Sequence, residues 1–350
     1  MMKLGIAAMI LTLMMTACGP AGQPEEAVKP AGQAAYTAET RIEDVRNDPV
    51  FGEYGRLIFP VDGGCMSGET LGELGLTWYR NIDPAATVEI TNDFRERAES
   101  GETIFYNIYK EEEKAADPAK EDTGLFFFKG KPGERFAYVG AMQDSFPHAL
   151  ELSKRGCSAF ALIYRPGAQT ACEDLARAIS FIFGHAEELE VNTDGYSLWG
   201  GSAGARMAAW LGSYGPTAFG GDDLPQPGAV VMQYTGPAEY SPQDPPTCVC
   251  VGKNDGIAGW RTMERRLEAM SAVGIATEFR AYESLGHGFG LGTGTVAEGW
   301  INDAIAFWEA AFSDQKKQPK RTLSRCRVWS GQKPERRQPS LIIIGRNGHE

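Results

Sequence analysis

Short apolar runs of strand length alternate with amphipathic stripes of helix length between residues 146 and 312. Alternation of this kind predicts right-handed βαβ crossovers, and therefore a mostly parallel sheet with helices on both faces. The predicted strands are Cys157–Tyr164, Tyr196–Trp199, Ala229–Tyr234, Thr247–Val251 and Thr277–Tyr282, and the predicted helices are Phe146–Arg155, Cys172–Leu189, Ser202–Leu211, Trp260–Met270 and Ala297–Phe312. The sequence thus predicts a doubly wound α/β fold, in which ligands bind at the carboxyl ends of the strands.

Three further apolar runs precede this stretch, and charged or glycine-containing turns bound each of them. They are rich in β-branched and aromatic residues, which predicts strands at Leu76–Ile82, Thr103–Tyr109 and Gly124–Phe128. We expect these strands to form an antiparallel edge of the sheet. A chain of 350 residues has room for one large domain or two ordinary ones. The continuous alternation favours a single domain that covers residues 38–312.

The chain begins with the arrangement of an export signal. Lys3 precedes an apolar run from Leu4 to Met15, which is too short to span a bilayer. The following Thr16-Ala17-Cys18 resembles the end of a bacterial lipoprotein signal, which implies that residues 1–18 direct export and that Cys18 carries a lipid at the outer side of the cell membrane. Residues 19–37 are predicted to form a flexible tether. A plain cleaved signal or a buried amino-terminal helix stays open as the alternative.

The charges divide the chain into an acidic body and a basic end. The net charge is −12, yet the segment after Phe312 carries ten basic and three acidic residues. Residues 313–350 are therefore predicted to be a basic, irregular tail, which is a solvated appendage, a polyanion-binding segment or the product of an altered reading frame. The acidic body argues against nucleic acid as a partner. The cysteines after Cys18 are too scattered for a metal site, so no metal is expected, and disulfide formation stays open.

A GxSxG pentapeptide lies between the predicted strand Tyr196–Trp199 and a predicted helix. In a nucleophile elbow, a strand turns so sharply into a helix that the central serine adopts a strained backbone conformation. The flanking positions must then be glycine, which Gly200 and Gly204 satisfy, and Gly201 adds a third small residue to the turn. The pentapeptide alone is a weak signal in a glycine-rich chain. Its context nevertheless makes Ser202 the candidate nucleophile.

An aspartate and a histidine follow two later predicted strands. Asp255 comes after Thr247–Val251, and His287 comes after Thr277–Tyr282. The chain order Ser, Asp, His is the order of α/β-hydrolases, and it differs from the orders on unrelated serine-protease folds. In such a triad, the imidazole removes the proton of Ser202 and later protonates the leaving group, while the carboxylate orients the imidazole. Each residue alone has an ordinary structural explanation, but together they predict a catalytic triad.

The chain from about Ile42 to Phe312 resembles the esterase/lipase-like branch of the α/β-hydrolase superfamily. The motifs that carry this resemblance are Gly200–Gly204, Asp255 with its preceding glycine, and Gly286–Gly288. The resemblance implies hydrolysis of carboxylic esters through an acyl-enzyme on Ser202, without a cofactor. It covers nearly the whole predicted domain.

The oxyanion hole is the point at which the sequence departs from this family. The first expected donor is the amide of Ala203, at the amino-terminal end of the helix after the serine. Members of the family usually supply the second donor from a glycine-rich turn of the HGGG type, and no such turn is present. Lys129–Arg135 runs directly into Phe136–Ala141. Either a strand ends here and Gly140 and Ala141 provide the donor loop, or both the strand and its loop are missing.

The leading hypothesis is a serine hydrolase that cleaves small acyl esters or carbohydrate-linked esters. The link between Tyr234 and Thr247 contains no long insertion that would form a cap, which favours an open site and bulky substrates. Two alternatives stay open: a catalytically impaired ligand-binding lipoprotein without a complete oxyanion hole, and a serine peptidase on the same fold. The expected partners are a small-molecule or glycan ester and the membrane, which the protein contacts through the lipid on Cys18.

Overall fold

The computed structural model describes residues 35–317, except residues 62–64, 80, 141 and 237. The predicted signal, Cys18, most of the predicted tether and most of the basic tail lie outside the described residues. The strands are β1 (Met66–Ser67), β2 (Gly75–Leu76), β3 (Phe105–Asn107), β4 (Gly124–Phe128), β5 (Arg135–Gly140), β6 (Ser158–Ile163), β7 (Asn192–Gly201), β8 (Ala229–Gln233), β9 (Thr247–Gly252) and β10 (Thr277–Tyr282). The helices are α1 (Ile42–Arg46), α2 (Pro84–Glu99), α3 (Glu111–Ala116), α4 (Phe146–Lys154), α5 (Ala168–Gly184), α6 (Ala203–Tyr214), α7 (Trp260–Ala272) and α8 (Trp300–Lys317).

Eight of the strands form one sheet in the order β10-β9-β8-β7-β5-β6-β4-β3. The strands from β10 to β6 all run parallel to their neighbours, whereas β4 runs antiparallel to both β6 and β3. The prediction of a mostly parallel sheet with an antiparallel edge is therefore confirmed. Strands β6, β8 and β9 are buried along their whole length, as expected for parallel strands covered on both faces.

The helices cover the sheet on both faces, as predicted. The crossover through α4 moves from β5 towards one edge, and the crossovers through α5, α6 and α7 move towards the other edge. Because crossovers are right-handed, opposite directions of travel place α4 on the face opposite to the other three. Helix α8 shares the face of α4, where Trp300 contacts the imidazole ring of His148. No helix in the described part of the chain is long and apolar enough to cross a bilayer.

The strand whose presence was open in the sequence lies in the middle of the sheet. Strand β5 pairs with β6 on one side and with β7 on the other. Phe136 is fully buried and stacks on Tyr196 of β7, with the ring centroids 5.1 Å apart. Tyr138 is fully buried as well. The strand of the first alternative is thus present at residues 135–140, and its part in the oxyanion hole stays a prediction.

The strand predicted at Leu76–Ile82 is wrong. Only Gly75–Leu76 is extended, and it pairs with β1 in a separate two-stranded sheet. The run is apolar and aromatic, as a strand is, but Trp78 and Tyr79 do not enter the main sheet. They pack against the loop that follows β10, where glycines allow close approach.

Helix α2 was not predicted. Asp83 caps its start, since its carboxylate accepts the amide N–H of Ala85 at 2.9 Å, and Pro84 occupies the first turn. An aspartate followed by proline is a recognised start signal of helices. Ile90 and Phe94 are buried on the face that packs against α4.

The borders of the folded unit differ by a few residues from the predicted ones. The compact unit begins at Tyr36. The hydroxyl of Tyr36 donates to the carboxylate of Asp48 at 2.6 Å, and its amide N–H donates to the Asn92 side chain at 2.8 Å. At the other end, α8 continues past Phe312 to Lys317.

A buried ion pair holds the segment between β8 and β9. The guanidinium of Arg266, on α7, lies 3.0 Å from the carboxylate of Asp244, and the two side chains are 2% and 1% exposed. Arg266 also donates from Nε to the carbonyl of Glu239 at 3.0 Å. The pair therefore fixes this short connection against α7.

Candidate active site

Ser202 lies at the sharp turn between β7 and α6. Its φ of 50° and ψ of −115° place it in a strained region that non-glycine residues seldom occupy. A Cβ on Gly200 would lie 2.2 Å from the carbonyl carbon of Gly204 and 2.4 Å from the Ala205 nitrogen, so only glycine fits there. The N–H of Ser202 donates to the carbonyl of Gln233 at 3.0 Å, which secures the turn to β8.

The structure brings Ser202, His287 and Asp255 together. His287 Nε2 lies 2.9 Å from Ser202 Oγ, and His287 Nδ1 lies 2.8 Å from Asp255 Oδ2. The Asp255 side chain is fully buried, and His287 is 11% exposed. The other Asp255 oxygen, Oδ1, accepts the amide N–H groups of Ile257 and Ala258, each at 2.8 Å. The buried carboxylate of Asp255 therefore faces three nitrogen atoms, one from His287 and one each from the amides of Ile257 and Ala258.

These partners determine the tautomer of the imidazole. A carboxylate oxygen only accepts, so the proton of the neutral ring is on Nδ1, which faces Asp255. Nε2 of His287 then presents its lone pair to the hydroxyl of Ser202. This arrangement allows the imidazole to accept the serine proton during nucleophilic attack.

Of the predicted oxyanion donors, Ala203 lies at this turn and Gly140 lies beside it on the neighbouring strand. Ala203 is the first residue of α6, where amide N–H groups have no partner within the helix. Gly140 ends β5 and pairs in register with Gly200. Its carbonyl accepts the hydroxyl of Ser145 at 2.7 Å, a buried bond that holds the loop after β5. Ala141 lies outside the described residues.

A small cavity lies beneath the elbow, and Asp144 and His148 line it together with Gly200 and Gly201. Burial raises the pKa of Asp144 to about 7 and lowers the pKa of His148 to about 4. Both shifts favour the neutral form of the group, as burial in a medium of low polarity requires. Asp144 Oδ2 accepts the indole N–H of Trp78 at 3.2 Å. These two groups were not predicted as part of the site.

The loop that carries His287 packs on Tyr234. The ring centroids of Tyr234 and His287 are 4.8 Å apart, and those of Tyr234 and Phe289 are 5.0 Å apart. Tyr234 has a positive φ of 37° at the end of β8, another strained position beside Ser202. A Cβ on Gly201 would lie 2.9 Å from the Tyr234 hydroxyl. The tyrosine thus fills the space between the elbow and the base.

The segment around Trp78 contacts this loop from the other side. A Cβ on Gly288 would lie 2.1 Å from the Trp78 carbonyl oxygen, and one on Gly290 would lie 1.9 Å from the Tyr79 hydroxyl. Both glycines have positive φ, at 71° and 54°. Asn81 donates from its side chain to the carbonyl of Phe289 at 3.2 Å. The position of His287 therefore depends on residues far away in sequence.

A groove of about 510 Å³ opens beside the imidazole. It is bounded by the loops after β9 and β10 and by the segment around Trp78. Its lining includes Trp78, Asn81, Asn254, Ile257, His287 and Thr295. Ile257 is 62% exposed, so one wall is an open apolar surface, and the asparagines and threonine provide polar groups. Across the described part of the chain, no cluster of three or more His, Cys, Asp or Glu side chains is arranged to hold a metal ion.

Comparisons with known proteins agree with this architecture. The family model named BD-FAE matches residues 149–227, a stretch that contains Ser202 but neither Asp255 nor His287. No curated protein matches the chain significantly. Among solved structures, the acetyl ester-xyloside bifunctional hydrolase from Caldicellulosiruptor lactoaceticus has a TM-score of 0.51 at 17% identity, covering 59% of this chain and 95% of its own.

Two further structures are similar at lower scores. The α/β-hydrolase MGS-M1 from a Medee basin deep-sea metagenome library has a TM-score of 0.47 at 20% identity, covering 55% of this chain and 93% of its own. A thermophilic esterase from Thermogutta terrifontis, Est2, has a TM-score of 0.46 at 20% identity, with coverage of 57% and 90%. The strand order and the likeness to the Caldicellulosiruptor hydrolase together confirm the predicted fold, and the chain has the α/β-hydrolase fold.

Proposed function

We propose that this protein is a serine hydrolase that cleaves carboxylic esters through an acyl-enzyme on Ser202. The observation that carries this proposal is the unbroken series of contacts from the buried Asp255 through His287 to Ser202, at 2.8 and 2.9 Å. A second support is the strained backbone of Ser202, which a structural serine in an ordinary turn does not need.

The proposed reaction has two steps. In the first, His287 Nε2 takes the proton of Ser202 as Oγ bonds to the ester carbonyl carbon, and the same proton passes to the departing alcohol as the carbon–oxygen bond breaks. In the second, His287 takes a proton from water as the hydroxide attacks the acyl carbon; the bond between that carbon and Ser202 Oγ then breaks, the proton returns to Oγ, and the carboxylic acid is released. Asp255 stabilises the imidazolium in both steps without accepting its proton.

The negative charge of each tetrahedral intermediate develops at the amino-terminal end of α6. The Ala203 amide donates to this oxyanion, and the partial positive charge of the helix end adds to the effect. The second donor is proposed to come from the end of β5 or the residue after it, at Gly140 or Ala141. Loss of one such donor typically reduces turnover by about 10²- to 10³-fold.

The groove beside His287 indicates where the alcohol part of the ester binds. The imidazole protonates the leaving oxygen, so the alcohol must leave on the side of the base. Trp78 and Ile257 provide apolar contacts there, while Asn254 and Thr295 line the same space. We therefore propose esters of bulky, polar alcohols, including carbohydrate-linked esters, with small acyl groups as substrates.

Replacement of Ser202 tests the proposal. Ser202→Ala is expected to reduce hydrolysis of a 4-nitrophenyl acetate probe by at least about 10⁴-fold, whereas Ser213→Ala, further along α6, leaves it unchanged. A fluorophosphonate probe should label the peptide that contains Ser202. An anilide of the same acyl group distinguishes a peptidase, because only a peptidase hydrolyses it at a comparable rate. Unchanged ester hydrolysis in Ser202→Ala refutes the proposal, and labelling without turnover favours the impaired binding protein.

The location of the protein remains a proposal as well. An exported protein held at the bacterial membrane by a lipid on Cys18 is expected from residues 1–18, which lie outside the described residues. Incorporation of labelled palmitate into the natural protein, and its loss in Cys18→Ser, tests this expectation. Retention of the label in that variant contradicts it.

A further inference from the structure

A polar side chain occupies a fully buried position at the end of β8. Gln233 is 2% exposed, and it follows four apolar residues on a strand that is buried throughout. A buried amide without partners is costly, so the side chain must be retained for the bonds that it makes. The reaction proposed above assigns no role to this residue.

Gln233 is bonded to the elbow and to the loop of the base at the same time. Its carbonyl accepts the N–H of Ser202 at 3.0 Å. Its side-chain Nε2 donates to the carbonyl of Gly290 at 2.8 Å, and both atoms are buried. Gly290 lies shortly after His287 in the loop that follows β10. One residue thus joins the backbone of the nucleophile to the backbone that carries the imidazole.

The location of β8 in the sheet explains this double contact. Gln233 pairs in register with Gly201 on β7 and with Cys250 on β9. The strand therefore lies between the strand that ends at the nucleophile and the strand that precedes the acid. A long amide side chain at its end is directed across the carboxyl edge of the sheet, and it meets the loop that follows β10.

Two aromatic side chains complete the attachment of this loop. The indole N–H of Trp300 donates to the same Gly290 carbonyl at 3.0 Å. Tyr234, the residue after Gln233, places its ring 4.8 Å from the imidazole of His287. The carbonyl of Gly290 consequently has two buried donors, and the imidazole rests against the tyrosine. Of the residues that make these contacts, only Gln233 is also hydrogen-bonded to the backbone of Ser202.

We propose that Gln233 is a positioning residue that sets the distance between His287 Nε2 and Ser202 Oγ. The expected effect on turnover rests on the proposed hydrolase function, whereas the expected effect on the position of His287 does not. Without the Nε2–Gly290 bond, the loop loses its connection to the elbow, and the imidazole moves relative to the serine hydroxyl. A displacement of about 1 Å in such a pair reduces turnover by about 10²-fold.

Two substitutions at Gln233 separate positioning from simple packing. Gln233→Leu keeps most of the volume and removes the donor. In Gln233→Glu, a neutral carboxyl group still donates to Gly290, whereas an ionised one repels its carbonyl. The titratable groups that face this side chain are Asp144, His148 and Tyr234 around the cavity and Cys250 on β9. Leu175→Ala, in α5 away from the site, is the control for lost stability.

The kinetic readout is kcat and KM for 4-nitrophenyl acetate between pH 5 and 9. We expect Gln233→Leu to lower kcat by about 10- to 100-fold with little change in KM. At low pH, the kcat of Gln233→Glu should be closer to the wild-type value than the kcat of Gln233→Leu is. As the pH rises and the carboxyl ionises, the kcat of Gln233→Glu should fall, which adds a descending limb to its pH profile. The inference is overturned if Gln233→Leu loses no more activity than Leu175→Ala, or if the glutamate variant shows no additional limb.

A spectroscopic readout keeps the inference independent of turnover. The Nδ1 proton of His287 in its bond to Asp255 gives a low-field ¹H resonance, which Asp255→Asn should abolish. We expect this resonance to shift or broaden in Gln233→Leu and to be retained in Leu175→Ala. An unchanged resonance in the folded leucine variant refutes the positioning role, even if Ser202→Ala shows that the protein is not an ester hydrolase.

Discussion

The carboxylate of Asp255 accepts the Nδ1–H of His287 at 2.8 Å from a position that solvent does not reach. In Asp255→Asn, the side-chain oxygen still accepts the amides of Ile257 and Ala258, which turns the NH₂ group towards the imidazole. The ring must then carry its proton on Nε2 and cannot accept one from Ser202. We expect kcat to fall by about 10⁴-fold, measured with 4-nitrophenyl acetate.

The control for this change is Asp83→Asn, at the start of α2, since asparagine caps a helix as well as aspartate does. It should keep wild-type activity. An Asp255→Asn protein that is folded and retains activity within about tenfold of wild type would show that the carboxylate does not orient the base.

Gly200 tolerates no side chain. In Gly200→Ala, the new Cβ meets backbone atoms of Gly204 and Ala205 at 2.2 and 2.4 Å, and backbone cannot move aside as a side chain can. We expect the free energy of unfolding to fall by about 3 kcal/mol or more, measured by urea denaturation. Gly184→Ala, at the end of α5, has open space around its Cβ and should be neutral or stabilising. Equal urea midpoints for the two variants would contradict this account of the elbow.

The buried carboxyl of Asp144 makes stability depend on pH. Burial raises its pKa from 3.8 to about 7 in the folded protein. Below pH 3.8 the carboxyl is protonated in both the folded and the unfolded state. Between pH 3.8 and 7 it is protonated only in the folded state, so stability falls as the pH rises. Above pH 7 it is ionised in both states, and stability falls no further. Asp144→Asn removes this dependence and keeps an acceptor for Trp78. The unfolding free energy of Asp144→Asn minus that of wild type is expected to increase by about 4 kcal/mol between pH 4 and pH 8.

The measurement is the difference in unfolding free energy between wild type and Asp144→Asn at several pH values. Burial lowers the pKa of His148 to about 4, so this residue raises stability as the pH increases from 4 towards 6.5. Because His148 is present in both proteins, its contribution cancels in the difference. A difference that stays constant across the range would mean that Asp144 is ionised in the folded protein throughout.

The pair of Arg266 and Asp244 is expected to be costly to break from one side. Arg266→Leu leaves the Asp244 carboxylate buried at 1% exposure without its cation, and this should lower the free energy of unfolding by about 3 to 5 kcal/mol. Adding Asp244→Asn removes the unpaired charge and should restore part of the loss. Urea denaturation of wild type, both single variants and the double variant gives the coupling. Additive effects would show that the two side chains do not interact.

The parallel part of the fold was predictable because each of its elements carries its own periodicity. Strands β6, β8 and β9 are largely apolar runs, because they are buried on both faces of the sheet. The run at Leu76–Ile82 has a similar composition, but Trp78 and Tyr79 pack on a loop rather than in the sheet. Helix α2 was not predicted because its apolar stripe is weak, although Asp83 and Pro84 mark its start.

The candidate triad was predictable for a related reason. Ser202, Asp255 and His287 each follow a strand, and parallel strands bring their carboxyl ends to one edge. Gln233 and Trp78 belong to no motif, and their roles depend on which distant segment lies opposite. A glutamine in an apolar run was the available signal for Gln233. No local pattern links Trp78 to Asp144 or to the loop of the base.

The contact of the segment around Trp78 with the loop of His287 sets the order in which the protein becomes competent. The bond from Asn81 to Phe289 closes a loop of 208 positions, among the longest that the folded unit contains. Closure of long loops is slow relative to formation of local structure. A refolding chain should therefore recover its helical signal first and the proposed hydrolytic activity later, in step with the burial of Trp78.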